Sequence, residues 1–219
     1  MPRMSRLVVP GYPHHVTQRG GRRQTTFFCT EDYRVYRQLL ANAREGAGIS
    51  VWAYCLMPNH VHLIVVPSHG DSLAAFFREA HRRYTRRVNL REGWQGHLWQ
   101  ERFHSSVMDE AHLLAAVRYT ELNPVRAGLC EHAADWAWSS VHAHQAGSDD
   151  TLVTVRPMLD RIHDWQRYLQ TEIFPAELEA IRRNAKTGRP LGGDDFVRQL
   201  ENLTGRRLRL AKPGRRFNR

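Results

Sequence analysis

The stretch Pro58-Asn59-His60-Val61-His62-Leu63-Ile64-Val65-Val66 decides the fold that we expect for this chain of 219 residues. Its β-branched and apolar side chains, which follow a Pro-Asn turn, predict a strand. Successive side chains of a strand point to opposite faces of the sheet, so His60 and His62 project together. The other face is apolar and would enter a core through Val61, Leu63 and Val65.

The helices and strands expected around this strand predict an α+β fold. We expect strands at residues 14–19, 49–56, 60–66 and 102–108, and helices at 31–47, 72–90 and 110–122. The first six elements follow the order of the ferredoxin-like split βαβ unit, an antiparallel sheet with helices on one face. Beyond residue 145 we expect two or three short helices, at about 157–172, 175–185 and 194–203, and a basic, loop-like end. We therefore predict a first domain of residues 1–145 and a helical, basic extension of residues 146–219.

The charge of the chain is basic and unevenly distributed. The formal net charge is +10, from 30 Arg, two Lys and 22 acidic residues. Because Arg suits bidentate phosphate contacts and stacking on bases, the balance indicates a nucleic acid or another polyanion as the partner. A genome-wide preference for Arg over Lys would produce the same ratio. Residues 181–219 alone carry +9, which concentrates the long-range attraction in the extension.

The sequence lacks the marks of membrane, secreted and zinc-binding proteins. Its longest apolar run, Val51 to Met57, is far shorter than the roughly 20 residues that a membrane helix needs. The first residues contain no apolar signal core. The three cysteines are widely spaced and form no Cys-x-x-Cys pair, which argues against a zinc knuckle or a disulfide framework. We expect a cytoplasmic, nucleoid-associated protein that binds no membrane.

His60 and His62 are two residues apart on the predicted strand, so their imidazoles lie side by side on one face of the sheet. Two imidazoles in this arrangement can supply two ligands of a metal site. The alternative is a pair of ordinary half-buried histidines. The chain has 13 His, and pairs occur elsewhere by chance, at His14-His15 and at His142-Ala-His144. The spacing alone leaves both interpretations open.

The end of the predicted third helix holds a second group of polar residues. Tyr119 and Asn123 are four residues apart and share a face, whereas Glu121 points to the opposite side. Taken alone, Tyr119 is more simply a packing residue with an exposed hydroxyl, and Asn123 a C-cap before Pro124.

Together, these two groups and their neighbours resemble a known family. Five stretches carry the resemblance, in order along residues 12–145: His15-Val-Thr-Gln-Arg-Gly20, Ala53-Tyr-Cys-Leu-Met-Pro-Asn-His-Val-His-Leu63, Gly96-His-Leu-Trp-Gln-Glu-Arg-Phe103, Tyr119-Thr-Glu-Leu-Asn-Pro-Val-Arg-Ala-Gly128 and Asp135-Trp-Ala-Trp-Ser-Ser140. They are similar to the HUH (His-hydrophobe-His) single-tyrosine transposases, and among these to the REP-associated tyrosine transposases and their insertion-sequence relatives. Two later stretches resemble the REP-associated members, Thr187-Gly-Arg-Pro-Leu-Gly192 and Leu203-Thr-Gly-Arg-Arg-Leu208.

The resemblance implies an enzyme that nicks and transfers single-stranded DNA. It makes residues 1–145 the catalytic domain, Tyr119 the nucleophile, His60 and His62 the metal pair, and Asn123 a third ligand of the amide type. The ion would be Mg²⁺ or Mn²⁺, and attack by the tyrosine would leave a covalent 5′-phosphotyrosine and a free 3′-OH. The family's catalytic helix lies on the sheet face opposite the two packing helices.

The resemblance also implies a partner and an oligomeric state. The DNA would carry short hairpins such as repetitive extragenic palindromes. Mobile insertion-sequence relatives work as dimers that share active sites, whereas REP-associated members act as monomers. The likeness of the last residues to REP-associated members therefore favours a monomer over a homodimer.

Eleven arginines are candidates for contact with DNA. They follow the first strand, form a basic face of the second helix, interleave with aromatic residues or lie in segments similar to minor-groove arms: Arg19, Arg22 and Arg23; Arg82, Arg83, Arg86 and Arg87; Arg102; and Arg189, Arg215 and Arg216. Trp94, Trp99 and Phe103 flank Arg102, a combination suited to stacking on unpaired bases. The alternatives are solvated charge for the arginines, core packing for the aromatic residues, and a disordered basic tail with only non-specific affinity.

Two other functions are compatible with these residues. One is a ferredoxin-like nucleic-acid-binding regulator that does not cleave, for which hairpin binding would survive His60→Ala and EDTA. The other is a metal-dependent RNA nuclease, which would form no covalent adduct with a tyrosine. The covalent adduct therefore distinguishes the three functions.

Overall fold

A four-stranded antiparallel sheet in the order β2-β3-β1-β4 organises the computed structural model, which describes residues 6–209. The strands are β1 His14–Arg19, β2 Ile49–Met57, β3 His60–Pro67 and β4 His104–Val107. The helices are α1 Thr30–Gly46, α2 Ser72–Glu92, α3 Glu110–Glu121, α4 Asn123–Arg126, α5 Val141–Ala146, α6 Arg156–Leu159, α7 Trp165–Gln170, α8 Pro175–Thr187 and α9 Asp194–Thr204. The order of the first six elements and this strand order are those of the ferredoxin-like split βαβ unit, as the sequence predicts.

One face of the sheet packs against α1 and α2. The apolar side of β3 lies in this core, with Val61, Leu63 and Val65 fully buried. Tyr36 of α1 and Phe76 of α2 are also inaccessible to solvent and belong to the same cluster. The alternation of β3 therefore assigns its faces as expected, and the imidazoles of the strand lie on the side away from this core.

Helix α3 covers the second face. Ile64 of β3 and Ala53 of β2 pack in one cluster with Ala116 and Val117 of α3. The helix begins where the sequence predicts, because the Asp109 side chain accepts a 3.0 Å hydrogen bond from the backbone N–H of His112.

The chain after Glu121 departs from the expected pattern. Asn123 does not cap the end of α3 but begins α4, a short helix with a proline in its first turn. The single helix expected at 157–172 is two helices, because the Asp164 side chain accepts from the N–H of Arg167 and starts a new one. Helix α5 was not expected.

The extension after residue 145 shares a core with α3. Met158, Trp165 and Ile181 are buried in the same cluster as Leu113 and Val117. Residue Leu191 then forms a parallel bridge to Met108 beside β4, and its N–H donates to the Val107 carbonyl at 2.8 Å. This segment covers an edge of the sheet that would otherwise expose unpaired backbone groups. Within residues 6–209, no helix is both long and apolar enough to cross a membrane.

Candidate active site

The pairing of β1 with β3 places His60 and His62 at the end of the sheet nearest the Pro58-Asn59 turn. His62 lies opposite Thr17 and His60 opposite Arg19. The two imidazole rings are 5.0 Å apart between centroids and stand edge to face. The period of the strand brings the pair together, as the sequence predicts, and α3 crosses the same face.

A third histidine completes the group and was not among the expected site residues. His15 of β1 is fully buried, and its Nε2 lies 2.9 Å from Nδ1 of His62. The two rings stack at 5.2 Å between centroids. Nδ1 of His62 is thereby engaged, which leaves its Nε2 as the nitrogen that can bind a ligand. The only sequence signal for His15 was its place in the first family-like stretch.

The Nδ1 atom of His60 is engaged in a similar way by its neighbour in the turn. Asn59 Oδ1 lies 2.6 Å from this nitrogen, so the amide oxygen accepts the imidazole N–H. The lone pair of His60 is then on Nε2. Both histidines of the pair therefore have Nδ1 occupied and Nε2 free of any hydrogen-bond partner among the described residues.

Tyr119 of α3 lies against this histidine group. Its ring meets that of His62 edge to face at 5.4 Å and that of His15 at 6.0 Å. The guanidinium carbon of Arg126 lies 4.6 Å from the centroid of the tyrosine ring. Arg126 belongs to the family-like stretch of α3 and α4 but was not among the expected site residues.

Asn123 is buried beside the same helix end, and its Nδ2 has no hydrogen-bond partner among the described residues. A buried amide without a partner is unusual, because such groups are nearly always satisfied in folded proteins. This Nδ2 can only donate, so the missing partner is an acceptor, whereas a metal ion would bind the amide through Oδ1. Helix α3 thus brings Tyr119 to the face where His60 and His62 project, and Asn123 follows as the first residue of α4.

Burial makes these imidazoles hard to protonate. Desolvation lowers the pKa of His60 to about 4, and the charge of Arg19 adds to the effect. Burial also lowers the pKa of His62 well below its ordinary value, assisted by His60, His15 and the nearby arginines. The pKa of Arg126 is lowered by burial and by the charge of Arg182 from α8. The histidines are therefore neutral at pH 7, the state in which imidazole binds a metal ion.

These donors suit a divalent ion with mixed nitrogen and oxygen ligands. Among residues 6–209, no group of three or more His, Cys, Asp or Glu side chains could hold a metal ion. A site here would use the Nε2 atoms of His60 and His62 and the amide of Asn123. Two imidazoles and one neutral amide leave coordination positions open, which suits Mn²⁺ or Mg²⁺ with a phosphate oxygen as a further ligand.

Residues 9–123, more than half of the chain, match the protein family described as "Transposase IS200 like". The chain belongs to this family. A transposase family is one of DNA-processing enzymes, and the matched region contains Tyr119, Asn123 and the histidine pair.

Individual relatives agree with the family assignment. The chain is 24% identical over 122 residues to a REP-associated tyrosine transposase of Escherichia coli (strain K12), an alignment that covers 55% of this chain and 72% of that protein. It is 25% identical over 130 residues to a putative REP-associated tyrosine transposase of Haemophilus influenzae, covering 54% and 74% respectively. A solved structure of a REP-associated tyrosine transposase bound to a REP hairpin overlays with a TM-score of 0.59 at 22% identity, covering 70% of this chain and 92% of that one. This structural likeness establishes the shared fold.

On the other side of α3, a buried carboxylate in this IS200-like chain faces away from the site. Glu121 is inaccessible to solvent and accepts hydrogen bonds from Ser140 Oγ at 2.6 Å, from His144 Nδ1 at 2.7 Å and from Trp165 Nε1 at 2.9 Å. His144 lies in α5, Ser140 directly precedes that helix, and Trp165 is the first residue of α7. The side of α3 opposite Tyr119 is thereby tied to the chain that follows it.

The predicted DNA-contacting arginines lie in several places. Arg19, Arg22 and Arg23 are exposed at the end of β1, and Arg22 and Arg23 have positive φ values of 53° and 62°. The four predicted arginines of α2, Arg82, Arg83, Arg86 and Arg87, are exposed on the face away from the core. Two of them pair with Glu79, at 3.1 Å from Arg82 and 2.5 Å from Arg83.

The remaining arginines lie nearer the extension or outside the described residues. Arg102 is exposed at the mouth of a small cleft that Lys186 and Gly188 also border. Arg189 is half-buried and donates to the Leu208 carbonyl at 2.6 Å. Arg215 and Arg216 lie outside residues 6–209.

The three predicted stacking residues have different environments. Trp99 and Phe103 are each 8% exposed and belong to the core beneath α2. For these two residues the structure therefore favours core packing over stacking on bases. Trp94 is 42% exposed and meets Phe28 edge to face at 5.7 Å. Only Trp94 of the three therefore presents a broad surface to solvent.

Proposed function

We propose that this chain is a metal-dependent endonuclease and strand transferase for single-stranded DNA at hairpin sequences. The observation that carries the proposal is the contact of Tyr119 with the histidine pair on one face of the sheet, 5.4 Å separating the rings of Tyr119 and His62. Asn123, four residues after Tyr119, would add its amide. The names of the relatives add the substrate class, since both are REP-associated transposases and the solved relative holds a REP hairpin.

Tyr119 would act as the nucleophile. Its oxygen bonds to phosphorus, the bond from phosphorus to the 3′ oxygen breaks, and that oxygen leaves as a 3′-OH after gaining a proton. The phenol proton is lost to solvent. The 5′-phosphotyrosine conserves the phosphodiester bond energy, so a 3′-OH can later reverse the step and join strands.

His60, His62 and Asn123 would hold a Mg²⁺ or Mn²⁺ ion. When bound, the ion would polarise the scissile phosphate and offset its charge. Arg126 is placed to stabilise the same phosphate, because its guanidinium lies over the ring of Tyr119. His15 and Asn59 keep the Nε2 atoms of the two imidazoles directed away from internal partners.

Exposed arginines would guide the DNA backbone. The cations at the end of β1 lie beside His60, since Arg19 is its partner in the strand pairing. The arginines of α2 and Arg102 would add contacts to phosphates, as would Arg189, Arg215 and Arg216 from the extension. The contact between Tyr119 and His62 lies within one chain, and this supports the proposal of a monomer as the active form.

Incubation with a 3′-labelled hairpin oligonucleotide and Mn²⁺ tests the proposal. Attack by Tyr119 attaches the 5′ phosphate of the labelled fragment to the protein, so a labelled protein band should survive denaturing electrophoresis. Tyr119→Phe should give no such band, and EDTA or His60→Ala should strongly reduce it.

A matched substrate labelled at its 5′ end should instead release free label as a shorter strand. The enzymatic proposal fails if the wild-type chain yields no more covalent product than Tyr119→Phe. Hairpin binding that is indifferent to His60→Ala and EDTA, without any adduct, would identify the non-cleaving regulator. Cleavage of RNA without an adduct would identify the nuclease.

A further inference from the structure

A cleft of about 600 Å³ lies at the carboxyl end of α2, on the opposite side of the sheet from Tyr119. Its walls are cationic on one side and aromatic on the other: Arg82, Arg86, Leu90, Trp94, His97 and Trp99. One carboxylate, that of Glu101, also lines it. The cleft adjoins a second groove that Arg83, Arg87 and Arg91 border together with Arg82 and Arg86.

The aromatic side of the cleft is exposed apolar surface. Leu90 is 73% exposed, and Trp94 and Phe28 are each 42% exposed. Trp94 is held in place, because its ring meets Phe28 and its backbone N–H donates to the Asn89 carbonyl at 2.8 Å. Clustered exposed apolar side chains commonly mark a binding surface, and an indole held in this way is a ready stacking partner.

A second, independent observation is an unsatisfied donor in the wall. Trp99 lines the cleft and is 8% exposed, yet its buried Nε1 has no hydrogen-bond partner among the described residues. The indole N–H can only donate, so the missing partner is an acceptor. Buried tryptophans normally satisfy this group, and an acceptor from outside the chain would satisfy it here.

The cationic side of the cleft suits a phosphate. Arg86 and Arg87 have no ion-pair partner within the described part of the chain, unlike Arg82 and Arg83, which share Glu79. A ligand that matches this cleft carries an anion, an aromatic face and a hydrogen-bond acceptor. A nucleotide has all three groups. An unpaired one is required, because a base within a duplex cannot present its face to Trp94.

The cleft is connected to the active site through the backbone. Trp99 forms a bridge with Gly20, and the N–H of Gln100 donates at 2.8 Å to the carbonyl of Arg19, the pairing partner of His60. The backbones of Trp99 and His60 are therefore two strand spacings apart, roughly 10 Å. DNA engaged at the site can reach the cleft by passing the cationic end of β1.

We propose that the cleft binds one unpaired nucleotide in the single-stranded flank of the hairpin DNA. Its base stacks on Trp94, its phosphate contacts Arg86, and an acceptor on the nucleotide receives the N–H of Trp99. This assignment rests on the proposed function for the identity of the ligand, and it makes the cleft a determinant of where along the flank the DNA is held.

A binding cycle tests the proposal in the full chain carrying Tyr119→Phe, so that no DNA is cleaved. The probe is a fluorescein-labelled hairpin oligonucleotide with single-stranded flanks, prepared intact and with one abasic site moved along each flank. Trp94→Ala should weaken binding of the intact probe by about five- to 150-fold, the range for loss of one base–aromatic stack. The matched control Phe174→Ala removes an aromatic ring that is 65% exposed elsewhere and should change nothing.

Non-additivity identifies the bound nucleotide. At one flank position, the abasic site should lower the affinity of the parent protein for the probe as much as Trp94→Ala lowers its affinity for the intact probe. With that abasic probe, Trp94→Ala should cause little further loss of affinity. The proposal is overturned if Trp94→Ala binds the intact probe as tightly as Phe174→Ala does, or if the probe is not bound. It is also overturned if Trp94→Ala lowers the affinity by the same factor wherever the abasic site is placed. Adduct formation by the chain with Tyr119 intact is scored separately, so the nuclease and the cleft can each fail alone.

The indole of Trp99 provides a separate readout. In ¹⁵N-labelled protein, the Nε1–H resonance missing from Trp99→Phe should move when the intact probe saturates the protein. The probe lacking the identified base tells whether the acceptor is on the base or on the phosphate. A resonance that does not move in the saturated complex contradicts the role given to Trp99.

Discussion

At the scale of single residues, hydrogen bonds to Nδ1 atoms direct the histidine pair. His60 is held by the adjacent Asn59, a partner fixed by local sequence. His62 is held by His15, which is 47 residues away in sequence and reaches it only through the pairing of β1 with β3. A second-sphere partner of this kind sets the orientation of an imidazole and the nitrogen on which it binds.

If His60 and His62 hold the proposed metal ion, replacement of His15 should weaken its binding without unfolding the protein. We expect His15→Phe to lower the affinity for Mn²⁺ by about 10- to 100-fold, the usual effect of losing such a partner. His15→Gln, whose amide can occupy the position of Nε2, should recover part of the loss. Titration of Mn²⁺ followed by electron paramagnetic resonance measures the affinity, and thermal unfolding checks the fold. Equal affinity in His15→Phe and the wild type would remove His15 from the site.

At the scale of elements, helix α3 makes contacts with the rest of the chain on two opposite sides. Its Tyr119 side faces the histidines, and its Glu121 side is bonded to Ser140, His144 and Trp165. A fully buried carboxylate is tolerated only with such partners, because an unpaired charge in the interior is strongly unfavourable. Glu121 therefore holds the helix that carries Tyr119 in place from the side opposite the histidines.

Removing one donor from Glu121 should destabilise the whole chain. Ser140→Ala and Trp165→Phe should each lower the free energy of unfolding by about 1–3 kcal/mol, because each leaves the buried carboxylate short of a hydrogen bond. Urea unfolding followed by circular dichroism measures the change. His142→Ala, on the exposed side of α5, is the matched control and should stay within about 0.5 kcal/mol of the wild type. Variants as stable as this control would show that the network does not hold α3.

At the scale of the whole molecule, the segment that holds most of the positive charge is not a separate part of the fold. Residues 181–219 carry +9, which by charge alone describes a separate tail. The structure instead buries Ile181, Leu191 and Leu200 of this segment against α3, β4 and the first described residues. Most of the segment therefore belongs to the packed molecule. Residues 210–219, outside the described part, hold one Lys and three Arg.

Truncation after Arg209 should weaken DNA binding and its dependence on salt while preserving the adduct with Tyr119. If all four cations contact phosphates of single-stranded DNA, the slope of log affinity against log salt should fall by up to about three. Fluorescence anisotropy with the hairpin probe at several salt concentrations measures the slope. A full-length variant with Gln at the four positions separates charge from length and should match the truncation. An unchanged slope would contradict a role for these residues in binding.

Much of the fold could be predicted from local patterns, because amphipathic periodicity is a property of neighbouring residues. The alternation at Val61, Leu63 and Val65 assigned the buried face of β3, and Asp109 marked the start of α3 as an N-cap. The break between α6 and α7 was missed, because a capping interaction at Asp164 overrides an apolar period that continues through it. The pairing of Leu191 with the edge of the sheet has no local signal at all.

The sequence by itself determined the order of the first six elements and the face on which His60 and His62 project, since each depends on local patterns along the chain. The tertiary structure alone decided that His15 engages His62, that Arg126 covers Tyr119, that Glu121 is a buried anchor, and that Trp94 is exposed while Trp99 is buried with a free donor. These depend on contacts between segments far apart in the chain. Such contacts form only when the sheet and its helices pack, and no periodicity within one segment specifies them.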